Sequence, residues 1–220
     1  MRHWVAVVLI LCWSPALALA EPSESASTAT AHVAAARESL DVIFVESGAL
    51  SAVASNAFQS SSAQIWGSFT SNPDFLRIDA GKREALQRYL NERYPAEATN
   101  MVLAHAPHVI DDYAPRMAAL FSVAELRDVS QFYRTADAKS WFIRSAISHN
   151  AEPTAAEQAA LAAFTETAGG RAWSEEFNQL IERISSDFIT SVAPQIRTRV
   201  MQDMCDILGE DCPPGFVQAP

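Results

Sequence analysis

From Val33 to Met204 the apolar residues of this chain return every three or four positions, and no stretch sustains the one-in-two alternation of a half-buried strand. That spacing places apolar side chains along one side of a helix. The expected fold is all-α: a helical bundle without a sheet, built as a single domain over residues 32–220. Val33, Leu40, Ile43 and Phe44 mark a first helix, and Leu50, Val53, Ala57, Phe58, Ile65 and Phe69 a second, with a break at Gly48. Ser71 to Phe75 reads as a turn. Lys82 to Tyr94 forms a third amphipathic segment with Leu86, Tyr89 and Leu90 on one side, and Pro95, tolerated in a first turn, starts the next. Pro107 is expected to kink or end a helix, because a proline there removes a backbone bond and clashes with the preceding turn; two short helices should follow Pro95.

A second pattern is laid over the first. Shifted by 32 positions, the segment from Leu120 to Phe142 meets a worn copy of itself: Ser122 falls on Thr154, Glu125 on Glu157, Phe132 on Phe164, Thr135 on Thr167 and Trp141 on Trp173. Each copy opens with Ser/Thr-x-x-Glu, a capping box in which hydroxyl and carboxylate satisfy each other's backbone N–H groups. The two glutamates need no catalytic explanation. Two helical hairpins are expected, at about 121–149 and 153–190, stacked on one another. Within each, the tryptophan should pack on the aromatic of the first helix, and Gly169-Gly170 should free the backbone for a tight reversal.

After the hairpins a long C-terminal helix is expected. Phe177, Leu180, Ile181, Ile184, Phe188, Val192, Ile196, Val200 and Met204 keep the helical spacing, interrupted only by Pro194. Such a stripe needs a long apolar partner: either the other helices of the same chain or, in a homodimer, a second copy.

The residues Phe121, Ser122, Glu125, Leu126, Phe132 and Tyr133, with the turn from Thr135 to Lys139, resemble the core motif of the exported bacterial proteins grouped as domain of unknown function 2059. Ala136 and Ala138 stand where that motif carries proline and glycine. The resemblance covers residues 110–150 and implies an exported helical protein; it transfers no catalytic residue.

The N-terminus supports the same address. Arg2 and His3 precede an apolar run from Trp4 to Trp13, and Ala18-Leu19-Ala20 offers a small-x-small cleavage site. The run is shorter than the ~20 residues a membrane span requires. We therefore expect a signal peptide over residues 1–20, cleavage after Ala20, a flexible leader over 21–31, and a periplasmic or secreted mature chain with no membrane span. Loss of Cys12 with the signal leaves Cys205 and Cys212, close enough in sequence to form a disulfide that clips the C-terminal tail, 209–220. The whole chain carries 16 Lys and Arg against 26 Asp and Glu, a net charge of −10. Nucleic acid and anionic lipid surfaces are poor partners for it, since both are bound through clustered basic residues.

Candidates for chemistry are few. His105-x-x-His108 with Asp111 and Asp112 is the best metal-like cluster, because imidazoles three apart on a helix can face one ion, although Pro107 lies between them. His32 and His149 read as surface or cap residues. Asp203, Asp206, Glu210 and Asp211 gather near the cysteines without the spacing of a calcium loop and read as a solvated helix end. No nucleophile elbow, phosphate-binding glycine loop or His-Glu-x-x-His pair occurs in the sequence. Two functions follow as expectations. The first is a noncatalytic envelope protein that takes a protein partner or an apolar ligand between its helices, with no cofactor. The alternative is a metal-binding protein or hydrolase-like enzyme centred on His105, His108, Asp111 and Asp112.

Overall fold

The computed structural model describes residues 24–148 and 150–213; the expected signal peptide with its Ala20 cleavage point, the first three residues of the leader, His149 and the end of the tail lie outside them, as does the side chain of Phe177. Among the described residues the chain is all-α and contains no strand. Helix α1, Glu24–Asp41, passes through a π-helical turn, Val42–Glu46, before the break at Gly48. Gly48 has φ of 81°, a conformation that costs a side chain dearly and glycine little, so the break falls where the sequence places it. Helix α2, Ala49–Thr70, follows, then a 3₁₀ turn, Phe75–Arg77.

Helix α3, Ala80–Arg88, continues through a second π-helical turn, Tyr89–Arg93, into α4, Tyr94–Leu120. Helix α4 is the hub: α1, α2, α8 and α9 all pack on it. Tyr94, Ala98, Val102, Ala106, Val109, Tyr113 and Met117 are buried along it at intervals of three and four, and the two alanines and two valines among them let neighbouring helices approach closely. The two short helices expected here are one helix of 27 residues running through both Pro107 and Pro115. The prolines are eight apart, just over two turns, and both are exposed. The carbonyls they leave unbonded therefore lie towards water, which replaces the missing backbone donors.

The repeated segment forms α5, Val123–Arg134, α6, Ala136–Ile147, α7, Ala155–Thr165, and α8, Ala168–Thr190. Both capping boxes form: the Ser122 and Glu157 side chains, like those of Glu125 and Thr154, bond across the first turns of α5 and α7. One layer deeper the copies match again, with the Thr135 hydroxyl accepting from the Ala138 N–H and the Thr167 hydroxyl from the Gly170 N–H. Phe132 and Phe164, equivalent positions of the two copies, stack on each other with centroids 4.1 Å apart and planes 4° from parallel.

Several expectations are corrected. The stretch from Glu24 to Ala31, read as part of a flexible leader, already belongs to α1. Its alanines favour a helix without an apolar stripe, and further along His32 Nε2 lies 2.7 Å from the carbonyl oxygen of Phe121, tying α1 to the end of α4. The long C-terminal helix is two: α8 ends at Thr190 and α9 spans Ala193–Leu208, because Pro194 has no N–H to continue the ladder and sits in the first turn of the new helix. The stripe is buried within the chain at Leu180, Ile184, Phe188, Val192, Ile196 and Met204. Among the ring contacts of the described residues, the tryptophans are not paired with the first-helix aromatics of their own copies. Trp173 instead lies against Phe121 and Tyr133, with centroids 5.9 and 5.4 Å away, and Trp141 lies under the Arg144 guanidinium.

Candidate functional site

Helix α2 and the α8–α9 pair both pack on α4 but not closely along each other, so a groove remains between them. Its position follows from the hub. A helix presents only so much circumference, and neighbours packed at about 8–10 Å around it need not touch one another. The groove contains two clefts. The larger, about 430 Å³, lies between Phe58 and Ile65 of α2, Tyr94 at the start of α4, and Ile196, Val200 and Met204 of α9. The other, about 400 Å³, lies between Phe44, Leu50 and Val53 on one side and Phe142, Ile181 and Phe188 on the other. Ile189 lines both, just before the break between α8 and α9.

The walls are fixed by edge-to-face aromatic contacts. Phe44 meets Phe188 at 5.0 Å and Phe142 at 6.3 Å between centroids, and Phe58 meets Tyr94 at 5.9 Å. Such contacts hold ring positions beyond what burial alone would fix. The Tyr94 hydroxyl donates to Ser61 at 3.2 Å, so the polar end of that ring is satisfied within the wall. The lining residues of the two clefts include no His, Cys or Lys; they carry one basic group, Arg197, and one acidic group, Glu182. Chemically this is a place for apolar matter with a charged group at its edge.

The residues singled out for metal binding are not brought together. The His105 and His108 rings are 5.3 Å apart on α4, His108 exposed and His105 half-buried. Asp111 is instead held by Arg37, with Nε to Oδ1 at 2.5 Å, and Asp112 is exposed. Among the described residues no group of three or more His, Cys, Asp or Glu is gathered closely enough to hold a metal ion. The acidic residues of α9 have structural partners: Asp203 accepts from the Tyr89 hydroxyl and pairs with Arg199, and Asp206 accepts from Gln202. Beside Asp203, burial and the carboxylate together raise the Tyr89 phenol well above its ordinary range.

Cys205 and Cys212 are joined in a disulfide with their Cα atoms 5.0 Å apart. Lys82 reinforces the same corner by donating to the Leu208 carbonyl at 2.8 Å and pairing with Asp211 at 2.7 Å, which ties the end of α9 to α3. Glu157 is buried, accepts from the Thr154 backbone and is also held by Arg144; the backbone bond foremost, and Arg144 with it, bring its carboxyl down to about 2 despite the cost of burial. The motif residues Ser122, Glu125, Phe132, Tyr133, Thr154, Glu157 and Phe164 therefore act in caps and core.

Sequence reasoning placed Leu50, Val53, Phe58 and Ile65 on an apolar face but read that face as core. Ile189 and Met201 escaped it, since each sits beside the stripe instead of in it. Their signal was present: an apolar face wider than a single file of side chains leaves residues for a second contact. No family model, curated protein or solved structure matches this chain.

Proposed function

We propose that this chain is an exported, noncatalytic helical protein of the cell envelope that binds an apolar ligand in the groove between α2 and the α8–α9 pair. The observation that carries this reading is the pair of apolar clefts that share Ile189, one bounded by α2, Tyr94 and α9, the other by Phe44, the start of α2, α6 and α8. A volume near 400 Å³ per cleft is in the range of small-molecule sites. The basic N-terminus, the apolar run after it and the resemblance to the domain of unknown function 2059 family support the envelope address. No helix of the described residues is long and apolar enough to cross a membrane.

The test uses the mature chain and an uncharged fluorescent probe, N-phenyl-1-naphthylamine. Saturable binding is expected, and Ile189→Trp, which extends a large ring from the lip shared by both clefts, should weaken it by about tenfold, equivalent to 1.4 kcal/mol. Its circular dichroism should match the wild type. The double variant His105→Ala, His108→Ala should bind the probe as the wild type does. Absence of saturable binding, or binding indifferent to Ile189→Trp, defeats the reading. N-terminal sequencing of the exported chain checks the address, with Glu21 as the expected first residue.

A further inference from the structure

We propose that the occupant of the groove is a single-chain amphiphile with an anionic head, its apolar chain lying through the two clefts and its head held by Arg197; this rests on the groove being a ligand site. Arg197 is exposed on α9 and is the one basic residue lining either cleft. It takes part in no ion pair or hydrogen bond among the described residues, whereas Arg199, two positions on, is paired with Asp203. Its neighbours one turn away, Ala193, Pro194, Val200 and Met201, are uncharged. A guanidinium bordered by apolar side chains keeps its donors for something that arrives with the ligand, and its planar fork matches a carboxylate or phosphate.

The other cleft fixes the direction. Its charged lining residue is Glu182, which would repel an anionic head at that end, while Phe44, Phe142 and Phe188 offer a surface suited to hydrocarbon. The tail therefore points from Arg197 past Ile189 towards those rings. A docking helix fits less well. With side chains it is about 10–12 Å across, so one turn already fills on the order of 400–600 Å³ and a helix could enter neither cleft along its length. A flexible chain of methylenes fills both in succession, gaining about 0.8 kcal/mol for each CH₂ buried. The acidity of the protein does not oppose this. A membrane surface is held by clustered basic residues, but one ligand carboxylate needs one guanidinium.

Binding of dodecanoate and of dodecanol to the mature wild-type chain and to Arg197→Gln, measured by isothermal titration calorimetry, tests the assignment. The wild type should bind dodecanoate about tenfold more tightly than dodecanol, and Arg197→Gln should remove that preference while leaving dodecanol affinity unchanged. Raising the salt concentration should narrow the wild-type preference. Equal affinity of the wild type for both ligands, or equal weakening of both by Arg197→Gln, overturns the role of the head group and leaves the apolar site intact. If neither ligand binds, the ligand site itself is refuted along with this inference.

Discussion

A methyl group added at Gly170 would be driven into the carbonyl of Phe164, and one added at Gly169 would lie 2.6 Å from both the Glu125 carbonyl oxygen and the Asp128 Cβ. Both glycines sit in the first turn of α8, where the Gly169 N–H donates to Asp128 at 3.1 Å. Gly169 is required for the close approach of α8 to α5, and Gly170 for the tight reversal from α7 into α8, where its missing side chain lets the backbone pass the Phe164 carbonyl. Gly170→Ala should therefore cost at least about 2 kcal/mol in urea denaturation. Gly67, inside α2 with open space around it, gives the contrast: Gly67→Ala should stabilise by about 0.5–1 kcal/mol. Glu157 sets a pH dependence. Its carboxyl titrates near 2 when folded against 4.5 otherwise, so its contribution is complete above about pH 4.5 and is lost as pH falls towards 2. Glu157→Gln should lower the melting temperature at pH 7, and the gap to the wild type should shrink in melts recorded at pH 3 and then pH 2.

Among the elements, α4 shows how a strong local signal can be outweighed. Pro107 removes a donor and strains one turn, yet the helix goes on because its other face is buried against four neighbouring helices. Pro107→Ala restores an N–H opposite the Leu103 carbonyl on an exposed side and should raise stability by about 1–3 kcal/mol in the same denaturation assay. At Pro194 the balance falls the other way. The backbone is interrupted at Ser191 and Val192, and α9 departs to reach α3, where the disulfide and Lys82 hold its end. For the loop closed by Cys205 and Cys212, the double alanine variant should lose about 2–3 kcal/mol. Far-ultraviolet circular dichroism should remain helical, because the clip constrains the tail and does not form the helices.

For the molecule as a whole, the core is one continuous body centred on α4, into which α1 and α5 are joined by a polar seam as well as by packing. The Ser39 and Ser130 hydroxyls lie 2.8 Å apart, and Ser39 also reaches the Leu126 carbonyl at 3.0 Å. Arg134 closes the outside of the same seam by pairing with Glu38 and Glu46. The all-α class, the break at Gly48 and both capping boxes were legible in the sequence, because each depends on residues within a few positions of one another. Helical spacing, a positive φ and a hydroxyl three residues before a glutamate are local physics. The tertiary structure alone decided the rest. Whether a proline ends a helix depended on which side of α4 faced water, and Trp173 found Phe121 and Tyr133 because α8 lies along α5. The groove was the least legible feature. It exists because α2 and α8–α9 do not fill the space between themselves, and a missing contact between distant segments leaves no trace in the spacing of either one.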